Sequence, residues 1–139
     1  MANERVSDFR KQVLWQKAQQ LAVEIVQVVR TMPRDAASAS ISNQILRSGA
    51  SIAANIAEGY GRFSQSSYRH YLSIARGSAA ETLSWLDLMA RLDYVSFEKS
   101  HDLQERAIEL QKLLAYRMKT LGDGKTYAVR EDGPVYAFD

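Results

Sequence analysis

Four times along this chain, apolar residues recur at alternating steps of mostly three and four, and only two prolines interrupt its 139 residues. That spacing puts an apolar stripe on one side of a helix, which other helices must cover. The first seam runs Leu14, Ala18, Leu21, Ile25, Val28 and Met32, the a and d positions of a heptad, widened by Trp15, Ala22, Val26 and Val29. The β-branched cluster from Val23 to Val29 would suit a strand, but the seam is too long for one. The second seam is Ile41, Ile45, Gly49, Ile52 and Ile56, flanked by Leu46, Ala53, Ala57 and Tyr60. The third is Tyr68, Leu72, Ala75, Ala79, Leu83, Leu86 and Ala90, and the fourth is Leu103, Ala107, Leu110, Leu114, Met118 and Leu121.

The punctuation between the seams predicts helices over about 8–32, 39–60, 64–92 and 96–121. Ser7 or Asp8 is placed to cap the first, one of Asp35, Ser38 and Ser40 the second, Ser64 the third and Ser96 the fourth. Pro33 sits in the first exit segment, Gly59 and Gly61 end the second helix, and Gly122 suits the residue after the last. Short connections favour an all-α, up-down-up-down antiparallel four-helix bundle over residues 1–121. Gly49 costs roughly 1 kcal/mol of helix propensity against Ala, so on a packing side it implies a close backbone approach, with Gly77 and Ser78 the expected neighbours. The tail, 122–139, carries three glycines and a proline and reads as non-helical. Its Tyr127, Val129, Val135, Tyr136 and Phe138 suit either docking on a bundle or a mobile terminus.

Several chemistries are disfavoured. There is no cysteine, which excludes disulfides and fits a reducing cytoplasm. The N-terminus is polar and lacks a signal-peptide core, and the weakly polar run Ser48–Ala57 is too short to span a membrane. The expectation is a soluble cytoplasmic protein with no membrane partner. A two-metal bundle site needs two inward Glu-x-x-His pairs; Glu98 and His101 form one, at the exposed first turn of the last helix, while His70 has Ser67 in the place of the acid. No nucleophile elbow occurs, and the glycines of GYGRFS follow a helix rather than a strand, so they are no phosphate-loop fingerprint. No enzyme activity, metal or cofactor is expected.

The net charge of +2 does not by itself indicate a nucleic-acid partner, but its distribution is uneven. Between Ile41 and Ala80 the bases are Arg47, Arg62, Arg69 and Arg76, and Glu58 is the single acid. Arg69 and Arg76 share a helix face, a rise of roughly 10.5 Å apart. Arg62, Ser64 and the free N–H groups of the third helix can together hold a phosphate, and Tyr68 and Tyr71, if exposed, can stack on bases. The alternative is a solvated polar face with local ion pairs such as Glu58–Arg62 at i,i+4. Arg47, Ser51, Asn55, Glu58 and Arg62 also form a polar stripe roughly opposite the seam, either solvated or a subunit contact. Trp15, Tyr60, Phe63 and Trp85 are more aromatic mass than one thin bundle easily buries, which favours an interface for some of it.

Two joined motifs, SIAANIAEGYGR and YLSIARGSAAE, resemble a known family: the small four-helix proteins encoded in intervening sequences of bacterial 23S rRNA genes. Trp15, Ala18 and Leu21 match its first helix, Pro33 its first connection, Ser51, Ile52, Asn55, Ile56, Ala57, Glu58, Gly59, Gly61 and Arg62 its core, and Leu72, Ile74, Ala75, Gly77, Ser78 and Glu81 its last segment. Many members have two adjacent basic residues where this chain has Leu46 and Arg47. The resemblance covers roughly residues 12–120 and extends to the accessory protein of diversity-generating retroelements. It implies a four-helix bundle, a ring-like homopentamer, and RNA, DNA or a nucleic-acid-processing protein as partner. The nucleic-acid-binding candidates are Arg47, Arg62, Arg69, Arg76 and Tyr68. Candidates for an interface or structural role are Trp15, Asn55, Glu58, Tyr60, Phe63, Glu81 and Trp85.

Overall fold

The first helix starts later than the predicted residue 8. In the computed structural model, which describes residues 8–121, Phe9–Lys11 form one 3-10 turn and Gln12 is extended. Helix α1 then covers Val13–Val29. Asp8 causes part of this, because its carboxylate accepts the Arg10 backbone N–H at 3.1 Å and holds the tight turn. Gln12 supplies the rest: it is 2% exposed, and its amide donates to the Tyr68 hydroxyl at 3.4 Å, which draws it into the bundle. Beyond Val29 the backbone tightens, with Met32 N–H on the Val29 carbonyl at 3.1 Å, so Met32 stays buried past the helix end.

Helix α2 (Ala36–Tyr60) begins at Asp35, whose carboxylate accepts the Ser38 N–H at 2.8 Å. It starts before residue 39 because Asp35, of the three possible caps, makes the bond. Helix α3 (Gln65–Arg91) is capped by Ser64, which accepts the Ser67 N–H at 3.0 Å. Helix α4 (Phe97–Leu121) is capped by Ser96, which accepts the Lys99 N–H at 3.0 Å. Between α3 and α4 the chain closes a Schellman turn: Tyr94 N–H meets the Met89 carbonyl at 2.9 Å and Asp93 N–H the Ala90 carbonyl at 3.1 Å. Asp93 takes the left-handed position with φ 61°, tolerated by Asp though glycine is the usual occupant.

The four α-helices form an all-α four-helix bundle, with no strand among the described residues. Consecutive helices pack together, and α1 closes the ring onto α4 along a thinner seam. The first-helix seam is buried from Leu14 to Met32, and Ile45, Ile52, Ile56, Leu72, Leu86, Leu103, Leu110 and Leu114 complete the centre. Each such side chain contributes roughly 1.5–3 kcal/mol by leaving water. The third seam departs at one point. Leu83 is half-buried, whereas Thr82 is fully buried, its hydroxyl 2.8 Å from the Ser78 carbonyl and 2.9 Å from the Ser48 hydroxyl. A satisfied hydroxyl can occupy a core position that an unpaired one cannot.

The glycines also differ from expectation. A Cβ at Gly49 would fall 2.9 Å from Ile25 Cδ1, so its neighbour is an α1 side chain, whereas Gly77 has nothing within 4 Å and faces outward. The predicted Gly49–Gly77 approach does not exist. Ser7 and the tail 122–139 lie outside the described residues.

Candidate nucleic-acid interface

The α2–α3 corner is built by glycine. A Cβ at Gly59 would meet the Tyr68 ring, the Tyr71 Cβ and the Tyr68 carbonyl, so the two helices can cross here only without one. The crossing sets Tyr71 beside the end of α2. Arg62 follows, its guanidinium hydrogen-bonded to Glu58, 2.8 Å from the Tyr71 hydroxyl, and 4.8 Å from the centre of the Tyr71 ring. Beside it, α3 starts with Gln65, Ser66 and Ser67, with no acid in its first turn and the Ser67 N–H donated to the Ser64 cap. Early N–H groups of a helix and a nearby guanidinium suit an anion.

Arg69 stands one turn into α3. Its Nε donates to the Met118 carbonyl at 3.1 Å, so it caps the open end of α4. Such last-turn carbonyls have no partner within their own helix. Arg76 is exposed two turns further on, with no hydrogen bond or ion pair among the described residues, and Gly77 beside it leaves the backbone bare.

Arg47 sits apart, near the middle of α2. It forms an ion pair with Glu81 at 2.7 Å, and the Trp85 indole N–H donates to the same carboxylate oxygen at 3.0 Å. Two of the four candidate arginines, Arg47 and Arg62, are thus already paired with carboxylates of the same chain.

Tyr68 requires a correction. It is 0% exposed, packed edge-on against Tyr60 with ring centres 6.2 Å apart, and it accepts the Gln12 amide. No base can reach its face; its place in the third seam decides its fate. Tyr71, one turn on, is the aromatic that stays half-buried beside Arg62.

The polar stripe also lies differently. Ser51 and Asn55 are half-buried at the edge facing α3, not opposite the seam, with Ser51 2.8 Å from Ser78 and the Asn55 amide 2.8 Å from the Ser51 carbonyl. With Ser48 and Thr82 they form a polar ladder between α2 and α3 that the seam periodicity does not announce. Of the four candidate aromatics, Tyr60 is buried within the chain, Trp15 packs edge-on against Phe9, and Trp85 is half-buried on the core. Phe63 alone of the four is left out, 105% exposed at the corner tip.

Among the described residues no group of three or more His, Asp or Glu is placed to hold a metal, and no helix is long and apolar enough to cross a membrane. The family model described as 23S rRNA-intervening sequence protein matches residues 10–116. A crystal structure of a protein with unknown function from the S23 ribosomal protein family, from Bacteroides thetaiotaomicron, superposes with a TM-score of 0.72 at 34% identity. The match covers 76% of this chain and 98% of that one. No curated protein matches.

Proposed function

From the finding that the chain belongs to the 23S rRNA-intervening sequence protein family, we propose that it is a non-enzymatic bundle that binds RNA or DNA and does so as a homo-oligomer, a ring of five. The observation that carries this reading is the outer face of α3. Arg69 and Arg76 lie on it, Arg62 stands at its start, and no acid occurs between Ser64 and Ala80. Among the described residues Arg76 has no hydrogen-bonding or ionic partner and Arg69 commits only its Nε, leaving both terminal nitrogens for phosphate oxygens. Arg62 and Arg47 contribute once their carboxylates are displaced. A patch this small is weak in one protomer, but linked copies act together at high effective concentration.

The test is the Arg69→Ala/Arg76→Ala double variant against labelled single-stranded RNA and DNA. The reading expects a loss of about tenfold or more in affinity and a shallower salt dependence; unchanged affinity and slope defeat it. A second reading is a protein-interaction module without nucleic acid, in a cytoplasmic bacterial setting. It is favoured by Phe63, a ring left fully exposed at the corner tip, because aromatic side chains are enriched in interfaces. It expects Phe63→Ser to lower the mass in light scattering while nucleic acid fails to bind.

A further inference from the structure

At the end of the bundle away from Arg62, the α3–α4 turn borders an open groove of about 710 Å³. Val28, Ala90 and Val95 give it an apolar strip, Gln27, Thr31, Ser96 and Lys99 a polar one, and Asp93, Tyr94 and Phe97 stand around it. Phe97 is 77% exposed. It also borders a second concavity of about 450 Å³, shared with Asp87, Glu98 and His101, so the ring is a ridge between two hollows.

Asp93 is the unusual residue here. Its side chain has no hydrogen bond or ion pair among the described residues, its φ of 61° is one that glycine takes more readily, and it follows the C-terminus of α3. A negative charge at the negative end of a helix dipole is also unfavourable. Glycine would remove both costs. The cations nearby have other ion-pair partners: Lys99, which lines the groove, lies 2.9 Å from Glu24, a carboxylate it shares with Arg106, and Arg91 lies 2.8 Å from Asp87. Arg30 and Arg34 lie on the α1–α2 connection, outside the groove lining. The Schellman turn therefore holds an exposed carboxylate with no ion-pair partner among the described residues, beside an exposed ring and a partly apolar groove.

We propose that this corner docks a partner protein through a segment pairing a Lys or Arg with a neighbouring apolar side chain. The cation meets Asp93 and the negative end of α3, and the apolar side chain covers Phe97 and enters the groove. A phosphate backbone is repelled by the same charges, so this face and the arginine face of α3 take different partners, and this proposal stands without the nucleic-acid reading.

The probe is a fluorescein-labelled peptide of alternating Leu and Arg, with a Leu–Gln peptide as control, titrated against the full chain. Asp93→Asn removes the charge and keeps a residue that tolerates the turn, and Phe97→Gln removes the ring; circular dichroism melts check folding. We expect the Arg peptide to bind wild type, to lose about tenfold in affinity in each variant, and to outcompete the Leu–Gln peptide, while RNA affinity stays unchanged. Equal binding to wild type and both variants, or none up to roughly 1 mM, overturns the proposal. So does a drop in mass by light scattering in either variant, since the occupant would then be a second copy of this chain.

Discussion

A Cβ on Gly59 would lie 2.9 Å from the Tyr68 ring, and that single missing methyl sets how α2 turns into α3. Gly59→Ala must push Tyr68, fully buried, or shift the α3 backbone, because the Tyr68 carbonyl is only 3.2 Å away. Overpacking of this kind costs about 1–3 kcal/mol, more than the helix propensity that Ala restores. Urea denaturation should show a net loss; equal or greater stability would mean the corner is loose.

Gly77→Ala predicts the opposite sign. The glycine lies mid-helix on α3 with nothing within 4 Å of an added Cβ. Ala should stabilise the fold by about 1 kcal/mol, read from the denaturation midpoint. A loss would show that another copy packs against this bare backbone.

Glu24 ties the thin α1–α4 seam together. The Lys99 ammonium bonded at 2.9 Å holds its carboxyl below the usual carboxylate range, against the opposing pull of burial, with Gln20 and Arg106 assisting. A carboxyl depressed on folding gives stability that is complete above its unfolded value and lost as pH falls through the folded one. Glu24→Gln should therefore cost about 1 kcal/mol at neutral pH, given the half-exposed partners. Melts of variant and wild type should converge in acid. A constant gap across pH would refute the linkage.

Glu58 restrains Arg62 at the α2–α3 corner. Glu58→Gln releases the guanidinium and removes the one acid near the proposed phosphate site. Affinity for single-stranded RNA should rise roughly threefold at low salt, an effect screened at high salt. A decrease would mean that the pair positions Arg62 for binding.

Most of the architecture was legible because it depends on local rules. The three–four spacing from Leu14 to Met32 predicts which side is buried, and Ser64 and Ser96 cap where their positions imply. Glu58–Arg62 was visible as an i,i+4 pair. What periodicity cannot show is contact between distant segments. Glu81 lies 34 residues from Arg47, and Met118 lies 49 from Arg69, yet these decide which arginines stay available. Tyr68 was read both as a core position and as a stacking surface, and packing against Tyr60 admits only the first. Gly49 and Gly77 look alike in sequence, but one faces Ile25 and the other open space.

The most direct measurement is the salt dependence of single-stranded RNA binding by the whole protein, followed by fluorescence anisotropy with light scattering in the same buffers. Two arginine–phosphate contacts per protomer give a log–log slope of about −1.4. An oligomer that engages several protomers should exceed that, with affinity falling steeply as salt rises. No binding at low salt, or a slope near zero, would contradict the account and leave the exposed Phe63 corner as the surface to explain.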